Sequence, residues 1–352
     1  FAINDYMDLA LQGDIYTNLS YALNITSSYV KRYKYSGSIE FRYEDNHTGL
    51  RNTPSFSSSN AFKFRWSHRQ DSKAHPHRSF SANVNLVSSK FNQYTTNLSD
   101  YFNNTTTSSI AFSTKLGSYW NLTANLGESY NVNTGAISLD LPSVSVSTTQ
   151  IYPFRKKKKQ GKNKWYEDIS LSYRVNMINK IDTYDTLLTS PDIFKSFRNG
   201  IIHSIPIQSN VKIFKHLNWT NSIDYTERWY SNSISKTYNP ATDLIDKDTI
   251  YGFIANRNAN FKSSLNTRLY GMFIFKKGFI KAIRHVINPN ISFTYTPDFS
   301  DPSLGFYDFY TDKEGKRVYY SRTENGIYGS PAQGASGILN FSIGNNLEMK
   351  VK

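Results

Sequence analysis

The sequence predicts an all-β chain, a large antiparallel transmembrane β-barrel of which about fourteen strands can be read. Three observations carry that prediction. Apolar and polar residues alternate with a period of two over stretches of about 9 to 13 residues, close to the ~9 to 11 that cross a bilayer as a tilted strand and longer than the ~5 to 6 usual in soluble sheets. Charges that fall inside these stretches keep to the polar side. The connections alternate between compact or basic turns and long polar loops, as in outer-membrane barrels that run as a meander of hairpins. A Greek-key sandwich gives no reason for that third pattern.

The 352 residues carry a net charge of +14, with 38% hydrophobic and 15% aromatic residues. The aromatic share excludes disorder, which is poor in rings. Apolar runs as short as GMFIF at 271–275 fall far below the roughly 18 to 20 residues of a spanning helix, so a helical membrane protein is excluded. With no cysteine there is no disulfide framework and no thiolate metal site. The chain opens on Phe1 without an initiator Met or a basic and apolar leader, and is expected to be a piece of a longer protein.

In order, the alternation predicts strands at 5–16, 19–29, 35–44, 61–69, 80–88, 108–116, 120–130, 136–148, 167–179, 203–213, 217–230, 258–275, 288–297 and 337–350. The second strand puts Leu19, Tyr21, Leu23, Ile25 and Tyr29 on one face, and Ser20, Ala22, Asn24, Thr26 and Ser28 on the other. The third sets Glu40 and Arg42 against Ile39, Phe41 and Tyr43, and the fourth sets Lys63 and Arg65 against Phe62, Phe64 and Trp66. Within 167–179 Arg174 opposes Tyr173 and Val175, and within 258–275 Lys262 and Arg268 oppose Phe261, Leu265 and Leu269. These seven, Glu40, Arg42, Lys63, Arg65, Arg174, Lys262 and Arg268, are the candidates for a hydrated lumen. Glu227, between Tyr225 and Trp229, is the exception on the apolar side and is tolerable near an interface.

The turns at 30–34, 69–79, 116–120, 152–165, 214–218 and 276–286 are compact or basic, whereas 45–60, 89–107, 180–202, 231–257 and 298–336 are long and polar, with one short member of the second set near 131–135. Short turns lie on the periplasmic side of such barrels. Arg155, Lys156, Lys157, Lys158 and Lys159 are therefore periplasmic-turn candidates that attract anionic headgroups within about one Debye length, a better fit than nucleic acid. Aromatics at strand ends, Tyr33, Tyr35, Tyr119, Trp120, Tyr152, Trp165, Tyr166, Trp229 and Tyr230, suit the girdles of a membrane interface.

Motifs of chemistry are weak. His68, His75 and His77 lack a carboxylate or thiolate at zinc spacing, and Pro76 splays the pair around it, so they read as incidental to a turn. The acidic stretch 297–315 does not match a calcium loop and reads as an exposed loop. No nucleophile elbow or phosphate-cradling glycine loop occurs, and neither an enzyme, a cofactor nor a resident metal is expected.

Four passages are more specific than any barrel periodicity: FAINDYMDLALQGDIYTN at 1–18, FRWSHRQDSKAHPHRSFSANVN at 64–85, IYPFRKKKKQGKNKWYEDISLSY at 151–173 and NGIIHSIPI at 199–207. They resemble the barrel domain of the LptD-like family of lipopolysaccharide-assembly proteins. The resemblance implies an outer-membrane translocon that takes lipopolysaccharide from periplasmic bridge proteins, passes its lipid laterally between strands and its sugars through the lumen, and holds a plug lipoprotein inside the barrel. It also implies that residues 1–352 are a partial barrel domain, without the periplasmic jellyroll and the final strands, and that the disulfides of some relatives cannot form here. The competing readings are another outer-membrane barrel (porin, plugged nutrient receptor or protein-secretion translocon) and a soluble secreted β-sandwich adhesin.

Overall fold

A computed structural model describes residues 1–88, 104–156, 161, 164–214 and 216–351. Eighteen strands among these residues belong to one antiparallel sheet and two form a separate hairpin. The chain divides into two compact units, the first comprising 1–146 and 176–199, the second 147–175 and 200–352.

The first unit holds β1 (Ala2–Asn4), β2 (Met7–Asp8), β3 (Ala10–Ile15), β4 (Tyr21–Lys31), β5 (Tyr35–Thr48), β6 (Ser57–Gln70), β7 (Arg78–Val87), β8 (Thr105–Leu116), β9 (Trp120–Asn131) and most of β10 (Ala136–Thr148). After β11 (Ile169–Leu171), which belongs to the second unit, it takes most of β12 (Arg174–Tyr184). From β3 to β9 each strand pairs antiparallel with the next. The register aligns like with like: Ile25, Phe41, Phe64 and Leu86 form one continuous rung, and Thr26, Glu40, Arg65 and Asn85 form the next. Cross-strand pairs of this kind contribute roughly 0.2 to 1 kcal/mol each.

The second unit continues with β13 (Arg198–Ile213), β14 (Leu217–Asn239), β15 (Leu244–Asn266), β16 (Leu269–Ile274) and β17 (Ile280–Thr296). The short strands β18 (Tyr307–Thr311) and β19 (Arg317–Ser321) make the separate hairpin, and β20 (Ser336–Val351) pairs along the whole of β17. Polar rungs run across four strands here too, Asn218–Asn266–Asn290–Ser342 and Thr220–Ser264–Ser292–Asn340. Alternating with them is the apolar rung Trp219–Leu265–Ile291–Phe341.

Exposure answers which face needs water. Along β6 Ser59, Ala61 and Lys63 are buried while Phe62 is 44% exposed. In the second unit Trp219, Ile223, Phe261, Ile291 and Phe293 are all exposed, whereas Ser292 is buried. The sheet is inside-out relative to a soluble sandwich. Among the described residues no helix is long and apolar enough to cross a membrane.

Several expected boundaries change. The stretch 167–179 begins as a 3-10 turn at Trp165–Asp168 and breaks at Ser172 and Tyr173, and 258–275 breaks at Thr267 and Arg268. Both breaks have one cause. Ser172 lies beside Pro206, and Thr267 beside Pro289, and a proline has no N–H to give the ladder. Register is unchanged across the second gap, from Asn266↔Asn290 to Leu269↔Ile287. The expected strand 5–16 is two short pieces, β2 and β3. The expected long loop at 231–257 is mostly strand, since β14 and β15 continue as one hairpin to a turn at 240–243. The basic turn expected at 276–286 is also mostly strand, because β17 starts at Ile280. Most of the expected loop 89–107 lies outside the described residues.

Candidate functional site

The polar face of β3 to β7 gathers four of the expected lumen residues. Arg42 pairs with Lys63 and Glu40 with Arg65 in the ladder, so strand register alone stacks two cations beside an acid and a third cation. Arg42 Nε donates to Glu44 Oε1 at 2.6 Å and Nη2 lies 3.8 Å from Asp14 Oδ2. Arg65 reaches Glu40 at 3.7 Å and donates to Asn85 Oδ1 at 3.3 Å. Glu44 and Lys63 are only 3% and 2% exposed. Burial of this depth without partners would be costly, and the Glu44 carboxylate takes a second hydrogen bond from Asn46 Nδ2 at 3.3 Å. Glu44 and Asp14 extend the expected set. Glu44 continues the parity of Glu40 and Arg42 by one step and was readable from the sequence, whereas Asp14 joins only because β3 folds beside β4.

The other three candidates stand apart from this cluster. Lys262 is exposed on β15, opposite Ser222 and Thr294. Arg174 is exposed at the first position of β12. Arg268 sits in the break between β15 and β16 and donates to Asn288 Oδ1 at 3.0 Å. Of the basic-turn candidates, Arg155 stacks on Tyr152 at 3.6 Å and donates to Asp168 at 3.2 Å, Lys156 is exposed, and Lys157, Lys158 and Lys159 lie outside the described residues. Glu227 accepts from Tyr225 Oη at 2.6 Å and from Trp229 Nε1 at 2.8 Å, so its neighbours on the same face satisfy it.

In the second unit the same polar face is covered by chain. Residues 297–335 fold back over β14 and β15 around a small core of Tyr230, Ile254, Phe306 and Tyr307, with Phe299, Ile327 and Tyr328 packed against it. Asn256, fully buried, donates to Thr323 Oγ1 at 2.7 Å, and Arg228 donates to the Tyr328 carbonyl at 3.1 Å. Tyr230 Oη donates to the Gly329 carbonyl at 2.8 Å, so this ring serves a core and not the expected girdle. Lys236 and Lys247 both bind Glu324, at 2.7 and 3.2 Å. Burial opposes the Glu324 charge, yet the two ammonium groups hold its pKa below the usual carboxylate value. Tyr307 donates to the Pro331 carbonyl at 2.6 Å and burial raises its pKa.

The acidic stretch thus reads differently from an exposed loop. Asp298 accepts from Ser300 and from Gly334 N, closing the ends of the segment on each other, and these bonds hold its pKa low. Asp312 accepts from the amides of Glu314 and Lys316, which with Gly315 at φ +79 makes the β18–β19 turn. Asp301 caps the short turn at Pro302–Leu304.

A sheet that buries charged rungs and exposes aromatic and aliphatic ones defines a class, the β-sheet membrane proteins, because a face so apolar is stable uncovered only in lipid. The family model described as LptD protein matches residues 1–352. The chain belongs to that family, an outer-membrane family of lipopolysaccharide transport. A search of curated proteins returns no match.

Proposed function

We propose that the chain is the wall of an outer-membrane translocon that inserts lipopolysaccharide into the outer leaflet. In this reading the cargo arrives from periplasmic bridge proteins, its acyl chains leave laterally between strands, and its sugars and phosphates travel along the polar face inside a barrel that also holds a plug lipoprotein. The carrying observation is the inversion of the two faces, with Glu44 and Lys63 buried and Phe62 exposed. Family membership supports the cargo. Arg42, Lys63 and Arg65 supply donors for phosphate, and Glu40 and Glu44 accept from sugar hydroxyls. Arg174, Lys262 and Arg268 extend that lining in the same parity, and the segment 297–335 narrows the passage over β14 and β15. The turn at 152–165 meets anionic headgroups on the periplasmic side. No step in this transport makes or breaks a covalent bond in the protein's hands, so it is not an enzyme.

Photocrosslinkers at Arg65 and Phe64 test the inward assignment. Position 65 is expected to capture lipopolysaccharide or the plug and position 64 bulk phospholipid, and the reverse result overturns it. Depletion of the protein is expected to leave lipopolysaccharide in the inner membrane. Normal surface display after depletion would place the chain among general porins.

A further inference from the structure

One cavity belongs to neither polar face. It measures about 490 Å³ and lies on the apolar side of the first unit, at the turn end of β5 to β8. Tyr35, His68, Phe80 and Phe112 wall it, and Lys34 and Arg78 stand at its rim. Strand parity fixes the side. Tyr35 continues Ile39 and Phe41, His68 continues Phe64 and Trp66, and Phe80 pairs directly with Phe112.

The walls are built, not accidental. Tyr29, Gly37 and His68 lie in one rung, and Gly37 has no room for a Cβ because the Tyr29 ring crosses it. Tyr29 Oη meets His68 Nδ1 at 2.8 Å and accepts from Trp66 Nε1 at 2.9 Å. His68 then stacks on Tyr35, ring centres 5.8 Å apart, with Phe80 at 5.4 Å. One imidazole nitrogen is engaged by Tyr29, which leaves Nε2 for a ligand.

Charge points to what that ligand is. The turns 30–34 and 69–79 carry six cations, Lys31, Arg32, Lys34, Arg69, Lys73 and Arg78, against the single carboxylate of Asp71. Lys31 lies over the Tyr6 ring, Arg32 and Lys73 over Tyr33, and Asp71 accepts from the Lys73 amide. Among the described residues Lys34, Arg69 and Arg78 are paired with no carboxylate, and of these three Lys34 and Arg78 line the cavity. Beyond it the apolar face continues through Trp66, paired with Val84, and through Ile110, paired with Ala82.

We propose that this cavity binds the phosphate headgroup of an anionic membrane phospholipid, with Lys34, Arg78 and His68 on the phosphate and the acyl chains along Phe80, Phe112, Trp66 and Ile110. The inference rests on the apolar face meeting lipid, and it holds whatever cargo the protein carries. A charged headgroup seated beside an aromatic floor at the strand ends places each half of the amphiphile in matching surroundings.

The test is native mass spectrometry of the full chain, released from bilayer discs containing phosphatidylglycerol and phosphatidylcholine in equal amounts. Retention of phosphatidylglycerol over phosphatidylcholine is expected, and K34Q/R78Q is expected to cut it about 25-fold, each cation near an anionic lipid being worth roughly fivefold. K31Q/R32Q removes equal charge outside the cavity and is expected to leave retention unchanged. Equal loss in both double variants would show diffuse attraction and overturn the site. Equal retention of the two lipids would overturn it as well, and displacement of the bound lipid by millimolar inorganic phosphate would reduce it to a phosphate site without lipid. Unchanged heat-dependent gel migration checks that the variants fold. Failure of the transport reading would appear in the depletion experiment and leave this measurement untouched.

Discussion

The β3–β7 ladder and the β14–β15 hairpin each carry a polar face of the same strand parity but keep it satisfied by different means. In the ladder, side chains do the work: Arg42 and Asn46 donate hydrogen bonds to Glu44, Arg42 also pairs with Asp14 at 3.8 Å, and Ala22 and Ala61 are buried nearby. On the hairpin, backbone from far along the chain does it, with carbonyls of residues 328 and 329 taking bonds from Arg228 and Tyr230. The lesson is that the polar face of such a sheet can be left open or be covered by folded chain. The choice depends on whether the strand offers charges or an apolar foothold such as Tyr230 and Ile254.

Four measurements would break or sharpen that contrast. The largest effect is expected from Phe306→Ala, which empties the fully buried centre of the folded segment and should cost it about 3 to 5 kcal/mol. Hydrogen exchange should then speed up at the amides of Ile234 and Arg322, which bond the segment to the hairpin and to itself, while the β5–β6 amides stay protected. Equal loosening of both regions would mean that they are not independent.

Next, Phe64→Arg and Ile223→Arg place a charge on the apolar face of each region. Both should cost about 2 to 4 kcal/mol in unfolding from lipid vesicles, followed by tryptophan fluorescence. The contrast concerns the inner faces only, so a large inequality between the two would count against it. Arg42→Ala should cost about 1.5 to 3 kcal/mol, because it leaves the buried Glu44 carboxylate without its charged donor, and Arg42→Lys should recover only part of that.

The smallest effect is a pH dependence confined to the folded segment. Glu324 titrates below its ordinary value of 4.5 in the folded state, so its contribution is full above about that pH and is lost as pH falls through the lower folded value. Lys247 is half exposed, which holds the effect to a few tenths of a kcal/mol up to about 1 kcal/mol. Proteolysis of 297–335 at pH 7 and pH 4 should show slightly faster cleavage at the lower pH, and Lys236→Ala should flatten the difference.

Much of the first unit was legible because strands such as β4 and β6 have one face more buried than the other. The expected strand 136–148 coincides with β10, and the faces assigned to Glu40, Arg42, Lys63 and Arg65 match the pairing of β5 with β6. The extension of β14 and β15 was not legible. Residues 244–253 are exposed on both faces, so the strand has no reason to alternate, and period is the only signal a sequence offers there. Prolines 206 and 289 were visible as strand residues, but the strands they interrupt are their neighbours, and which strand lies beside which is a matter of register.

Residue order along each ribbon decided the period, the parity of the charges and the apolar face, because successive side chains must point to opposite sides of a pleated backbone. Contacts between distant segments decided the rest: that residues 297–335 fold onto Tyr230 and Ile254, that Asp14 completes the Arg42 cluster, and that Tyr29 reaches His68 across Gly37. Those outcomes depend on which surfaces the pairing of strands brings within bonding distance, and no local pattern encodes a distance between segments tens of residues apart.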